Sequence, residues 1–311
     1  MPDWCHTEPK AELHIHLEGS VFPQTLNRLA HKKGLPQVAE DFYDFRDFDG
    51  FNQCLMHVLG LLTTEEDYYR LALDFTDRQA SQNIIYTEAF FMPYLHLVNG
   101  GHFEAIKQGL EAGFKEAEAG RQVRVRLLFN LPRGLDREAG FKTLELIEKY
   151  KWDRVLGIDL AGKEGKGDIA PRADIFAKAR SMGLKTVAHA GEFSPASQMA
   201  ETLRLLKPHR IGHGLSAIND EKVIETLIKT GVCLEMAPTS NLLLGAVGDI
   251  SDHPLPQLLQ KGVKVVLNTD DPAFFKTSLN RELDLVHNEM QVSEKDLKRL
   301  IRNGFEQAFG F

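Results

Sequence analysis

Disulfide chemistry has little foothold in this sequence: its three cysteines, Cys5, Cys54 and Cys233, are far apart, odd in number and form no CxxC pair. A disulfide framework is therefore excluded, and a reducing compartment fits. No run of about 18 uncharged apolar residues is present, so no membrane span is expected. The opening residues, MPDWCHTEPK, have neither the basic start and apolar core of a secretion signal nor the Arg-rich amphipathic character of a transit peptide. A cytoplasmic location is the expectation. Basic excess is missing too: 37 Lys and Arg against 44 Asp and Glu give a formal charge of −7. That balance repels nucleic-acid backbones over the surface as a whole. A small-molecule substrate, with no nucleic-acid or membrane partner, is expected.

What the chain does have is a recurring apolar, β-branched run that ends in polar or glycine-containing residues and gives way to helical spacing. Eight such runs occur: AELHIHLEG from Ala11, IIYTEAFF from Ile84, VRVRLLFNL from Val123, RVLGIDLAG from Arg154, KTVAHAGE from Lys185, RIGHG from Arg210, VCLEMAP from Val232 and KVVLNTDD from Lys264. Continuous runs of this kind suit strands buried on both faces of a parallel sheet. Between them, Phe103, Ile106, Leu110 and Phe114 share one helical face, as do Val223, Ile224, Leu227 and Ile228. Gly183 and Gly231 are placed to end helices, and Ser293 with Asp296 reads as the start of a last helix carrying Leu297, Leu300, Ile301 and Phe305 inward. Eight strand–helix alternations predict an α/β protein with a single eight-stranded parallel β/α (TIM) barrel, one domain over residues 1–311. Periodicity alone also admits an open doubly wound sheet.

One connection is anomalous. About 64 residues separate Gly19 from Ile84, far more than a strand-to-helix link needs, and they carry Phe42, Phe45, Phe48, Phe51, Leu55, Met56 and Leu59. A helical insertion leaving the C-terminal end of the first strand is placed to cover the active-site end of a barrel, as a lid or as a structural cap.

His14 and His16 lie two apart on the first strand and so face the same way. Taken alone, an HxH pair marks hydrogen-bonded core histidines as readily as ligands. The pair gains weight because His189 ends the fifth run, His213 the sixth, and Asp270 and Asp271 the eighth. Imidazole and carboxylate are the ligands that borderline divalent metals such as zinc accept, and three His with one Asp make a reasonable set. Such a metal lowers the pKa of bound water to about 7. Glu192, three residues beyond His189, is placed to donate a proton, and His213 to orient the water and take its proton. Each has a plainer use as well, Glu192 as a helix-terminus partner and His213 as a structural histidine before glycine.

The segments PKAELHIHLEGS, DLAGKE, VAHAGE, RIGHG, APTSN and NTDDPAFF, in order from Pro9 to Phe275, resemble the signatures of the adenosine deaminase family. The resemblance implies one zinc ion per chain on His14, His16, His189 and Asp270. It further implies that Glu192 protonates a purine ring nitrogen, His213 acts on the attacking water, and Asp271 hydrogen-bonds the imidazole part of the purine. The Gly162 backbone would approach the pyrimidine edge and Glu18 would face the ribose or its replacement. Two features depart from many members: TEAFFMP, with Phe90 and Phe91, is closer to adenine deaminases, and Glu18 stands where many animal adenosine deaminases carry Asp. DLAG and IGHG favour the nucleoside enzymes. Adenosine is accordingly the first substrate expected, adenine the close second and aminodeoxyfutalosine the third.

Other classes fit less well. Dinuclear relatives also begin with HxH but need a bridging lysine inside the fourth strand, where GIDLAG has none and Lys163 comes just beyond. The deaminases of cytidine and flipped bases use PCxxC, which is missing. A barrel reduced to non-catalytic metal binding would not be expected to keep the full set of ligands and proton-handling residues.

Overall fold

The computed structural model describes residues 4–39, 41–45, 47–165 and 168–311. Met1–Asp3 of the opening segment and Arg46 of the insertion fall outside them. The eight apolar runs form eight strands: β1 (Lys10–His16), β2 (Ile84–Phe91), β3 (Arg124–Pro132), β4 (Val155–Ala161), β5 (Lys185–Ala190), β6 (Arg210–His213), β7 (Cys233–Met236) and β8 (Val265–Leu267). They pair in sequence order, all parallel, from β1 to β8. The eightfold β/α barrel is thus present and the open sheet is not. Among the described residues, no helix is long and apolar enough to cross a membrane.

The eighth strand is shorter than its sequence run because two of its residues are diverted to close the barrel. Asn268 turns its side-chain oxygen to the backbone N–H groups of Leu13 and His14, at 2.9 and 3.0 Å. Asp270 then bridges to β1: its N–H donates to the His14 carbonyl at 3.1 Å and its carbonyl accepts from the His16 N–H at 2.7 Å. Asp270 has φ +64° and His213, at the end of β6, φ +61°. Both lie in the left-handed region that residues other than glycine seldom occupy, and such conformations gather at functional sites.

Among its described residues, the insertion after β1 holds three α-helices, Pro23–Lys32, Phe48–Leu61 and Glu65–Ser81. The third is capped by a reciprocal Thr64–Asp67 pair and packs as an ordinary outer helix. The second lies over the mouth of the barrel, where Phe48, Phe51, Leu55 and Met56 line a cavity. Gly231 has φ +72° and ends the helix Glu221–Thr230; Gly183, φ +79°, follows the helix Ala173–Ser181. Ser293 accepts from the Asp296 N–H at the head of the helix Glu294–Glu306. Leu297 and Leu300 of that helix are buried, whereas Ile301 and Phe305 are half-buried. One apolar position differs more: Ile228 is 49% exposed, because Val223, Ile224 and Leu227 fill the inward stripe and Ile228 falls at its edge in the last turn.

The helices Glu65–Ser81 and Phe103–Arg121 approach closely because Gly109 and Gly113 stand on the contact face. A β-carbon on Gly109 would lie 2.2 Å from the Glu65 carbonyl oxygen, and one on Gly113 would lie 2.6 Å from the Ala72 Cβ. Alanine normally gains about 1 kcal/mol over glycine in a helix, but forced overpacking costs about 1–3 kcal/mol. Gly109→Ala is therefore expected to lower the urea midpoint; a midpoint equal to or above the parent's would contradict this packing.

Candidate active site

Alternation along β1 points His14 and His16 into the C-terminal mouth, and the ends of β5 and β8 bring His189 and Asp270 to them. One ligand atom from each of the four lies within 4.8 Å of every other. Asp270 Oδ1 is 3.3 Å from His14 Nε2 and 3.2 Å from His16 Nε2. Gly212 leaves room for this crowding, since a β-carbon there would stand 2.9 Å from His14 Cε1.

The far sides of these groups are held by further polar side chains. Glu235 Oε2 lies 2.9 Å from His14 Nδ1, Asp159 Oδ2 lies 3.0 Å from His189 Nδ1, and Ser240 Oγ donates to Asp270 Oδ2 at 2.6 Å. A carboxylate on Nδ1 fixes the N–H there and leaves Nε2 with a bare lone pair. His14 Nε2 is fully buried and makes no hydrogen bond, a costly state for a polar atom unless something takes its lone pair. Burial pushes the Asp270 carboxyl up, yet the closeness of His14 and His16 outweighs it and holds the group well below the ordinary carboxylate range. Three imidazole nitrogens and one carboxylate oxygen, deeply buried and convergent, fit a divalent metal of the borderline class.

Glu192 and His213 stand beside this cluster. Asn241 Nδ2 donates to Glu192 Oε1 at 2.8 Å and lies 3.0 Å from His213 Nδ1, while His213 Nε2 is 3.6 Å from Glu192 Oε2. His253 Nε2 lies 3.2 Å from the Asn241 oxygen and so steadies the amide. The loop carrying Glu192 is pinned by Glu164, whose carboxylate accepts the backbone N–H groups of Gly191, Glu192 and Phe193 at 3.0, 2.7 and 3.2 Å. Burial, and then the charges of Asp270 and Glu164, push the Glu192 carboxyl well above the ordinary range. Burial likewise holds His213 well below the ordinary histidine value. Both shifts favour the uncharged forms, a carboxylic acid next to a neutral imidazole.

A cavity of about 460 Å³ opens onto these groups. His16, His189, Glu192, His213, Asp270, Asp271 and Gly162 line its floor, and Phe48, Phe51, Leu55, Met56, Met92 and Leu95 are among its walls. Burial pushes the Asp271 carboxyl up, with the Asp270 charge adding to it. Of the expected site residues, His14 and Glu18 do not line the cavity, and of these two only His14 belongs to the His–Asp cluster; Glu18 stands apart. It is fully buried but does not line the cavity; its Oε1 accepts from the Met92 N–H at 2.8 Å and lies 3.1 Å from His96 Nε2, and its Oε2 has no partner.

Residues 9–310 match the sequence profile of adenosine deaminase. The chain belongs to the adenosine deaminase family. It is 35% identical over 314 residues to the adenine deaminase of Rhodospirillum rubrum, covering 99% of this chain and 94% of the relative. Its fold matches that of the adenine deaminase from Arthrobacter aurescens with a TM-score of 0.92 at 28% identity, covering 97% of this chain and 94% of that one. A Burkholderia ambifaria amidohydrolase with bound Zn matches with the same TM-score of 0.92 at 25% identity, covering 99% and 87%.

Sequence reasoning named the cluster but overlooked the groups that hold it. Glu235 in VCLEMAP and Asp159 in GIDLAG are each a lone acid inside an apolar strand run, which is a legible signal: a buried charge needs a partner. Asn241, in APTSN, carried no such signal, because a polar residue shortly after a strand is ordinary; it lies buried in the helix Pro238–Leu243.

Purified protein is expected to carry about one divalent metal ion per chain, and His16→Ala to lose it together with activity. Elemental analysis checks both, and full metal content and full activity in the variant would contradict the ligand set.

Proposed function

We propose that this protein hydrolyses free adenine to the 6-oxopurine and ammonia, with zinc as its metal. As a member of the adenosine deaminase family it is a purine aminohydrolase, and the choice among aminopurines rests on the cavity. Adenosine, the first substrate expected from DLAG and IGHG, gives way to adenine. The supporting observation is the mouth: the helix Phe48–Leu61 covers it with apolar side chains, and Glu18 is tied to His96 and the Met92 N–H instead of lining the wall. Ribose hydroxyls brought against Phe48, Phe51, Leu55 and Met56 would lose their water without gaining partners; of the polar residues in the walls, Arg133 and Asp168 are engaged with each other, which leaves Asn52 and Lys163. The similarity to adenine deaminases over nearly the whole chain supports the same choice. A cavity of about 460 Å³ has space for a nucleoside, so wall chemistry and not volume does the selecting.

His14, His16, His189 and Asp270 would hold the metal, whose contribution is to acidify water so that hydroxide is available at neutral pH. Glu192, kept protonated by burial, donates to a ring nitrogen of the pyrimidine as C6 is attacked. His213 orients the attacking water through Nε2. To take a proton there it must carry its hydrogen on Nδ1, which requires the Asn241 amide to turn and present its oxygen to His213, giving up its donation to Glu192 Oε1. Asp271 hydrogen-bonds the imidazole edge, and Gly162, whose φ is +99°, lets the backbone come close to the base. The water oxygen bonds to C6 and the C6–N bond breaks; one water proton passes to the amino group, which leaves as ammonia, and the other returns to Glu192, replacing the proton it gave to the ring nitrogen.

The Glu192 assignment has a defined pH signature. Because the acid form is the active one and its pKa is raised, kcat/KM is expected to fall as pH rises through a value above the ordinary carboxylate range. Glu192→Gln should keep the metal, lower kcat by about 10²–10⁴-fold and lose that alkaline limb. A loss smaller than about tenfold would make Glu192 a structural residue.

Steady-state kinetics with adenine, adenosine and aminodeoxyfutalosine side by side test the substrate. Adenine should exceed both in kcat/KM by at least about a hundredfold, within the range that polar-group matching can supply. Adenosine equal to or above adenine would overturn the free-base reading and leave the deaminase chemistry in place.

A further inference from the structure

The barrel interior beneath His14 is charged, where such barrels ordinarily pack branched apolar side chains. Arg210, the first residue of β6, is 1% exposed, and Glu88 on β2 and Glu235 on β7 are fully buried. The guanidinium bridges the two acids across the barrel: Nη2 donates to Glu88 Oε2 at 2.6 Å and Nε donates to Glu235 Oε1. The other oxygen of Glu235 is the one facing His14 Nδ1 at 2.9 Å. A carboxylate engaged on both oxygens cannot turn, so Arg210 fixes the group that fixes the imidazole.

The segment from Gln307 to Phe311 covers the other side of the guanidinium. The Gln307 carbonyl accepts from Arg210 Nη1 at 2.7 Å, and the Phe309 ring lies against the guanidinium with its centroid 3.7 Å away. The Phe309 N–H donates to Glu88 Oε1 at 2.5 Å, and the Gly310 N–H donates to Tyr86 Oη at 3.0 Å. Water is thereby kept from a triad whose bonds strengthen in a low dielectric. None of these residues touches the cavity.

We infer that Arg210 is a positioning residue for the metal centre and that Phe309 is its cover, so metal affinity is set in part from the end of the barrel opposite the cavity. This rests on the metal-site reading above. Removing Arg210 leaves two buried carboxylates without their cation and frees Glu235 to turn away from His14. Outer partners of metal-bound histidines typically control affinity by about 10–100-fold.

The test is competition for zinc between a chromophoric chelator and the full-length protein, in the parent, Arg210→Gln, Arg210→Lys and Phe309→Ala, with thermal melts of the metal-free proteins alongside. Arg210→Gln should weaken zinc binding by about 10–100-fold. Arg210→Lys should recover part of it, since an ammonium keeps the charge but cannot bridge both acids. Phe309→Ala leaves the triad intact, so it keeps the test usable if Arg210→Gln does not fold; it should weaken zinc by about threefold or more, with KM of the zinc-saturated enzyme unchanged. Zinc affinity within about twofold of the parent in Phe309→Ala and in either folded Arg210 variant, whatever the melts show, would overturn the inference. A parent that binds no zinc would overturn the metal reading itself, which separates the two failures.

Discussion

Closure of the barrel at the junction of β8 and β1 is the constraint on which the site depends. The backbone of Asp270 pairs with that of His14 and His16, and this pairing sets its carboxylate between their rings. Asn268 completes the seam with a side chain where the strand ladder stops. A one-residue slip would turn Asp270 to the wrong face and dismantle the cluster. The turn after β1 reinforces the register from the other side: a β-carbon on Gly19 would lie 1.8 Å from Asp271 Oδ1, so only glycine lets that turn pack on the second aspartate.

Around this seam the chain buries charge in an ordered way. His14 and His189 each have a carboxylate behind the ring, Asp270 a serine, and Glu235 an arginine. Removing one partner of such a buried pair typically costs about 3–5 kcal/mol, so the arrangement is held as a unit. In the proposed reaction its return would be preorganisation, since groups already fixed in place need little rearrangement as charge develops. The same burial that makes the site costly pushes the Glu192 carboxyl up and the His213 imidazole down, each toward its uncharged form.

Much of this was legible in the sequence, for physical reasons that differ by element. Strands buried on both faces must be continuously apolar, so eight runs gave eight strands in order. The eighth was read too long because its last residues look like strand while forming the seam with β1 and the His–Asp cluster. The four residues of the cluster were readable because ionisable groups at the ends of buried strands are rare without a purpose. Glu18 lay beyond sequence reasoning, since its orientation is decided by His96, 78 residues away. Arg210 and Phe309 were likewise hidden: RIGHG drew attention to its histidine, and the partners of its arginine come from β2, β7 and the segment after the last helix.

The central claim is that one buried His–Asp cluster and one protonated glutamate act together on a free aminopurine base. It is tested most directly by a crystal structure of the metal-loaded protein with hypoxanthine, using anomalous scattering at the zinc edge. The account predicts an anomalous peak enclosed by His14, His16, His189 and Asp270, with the base in the cavity beside Glu192 and Asp271. A peak bounded by other residues, or a base bound away from Glu192, would contradict it.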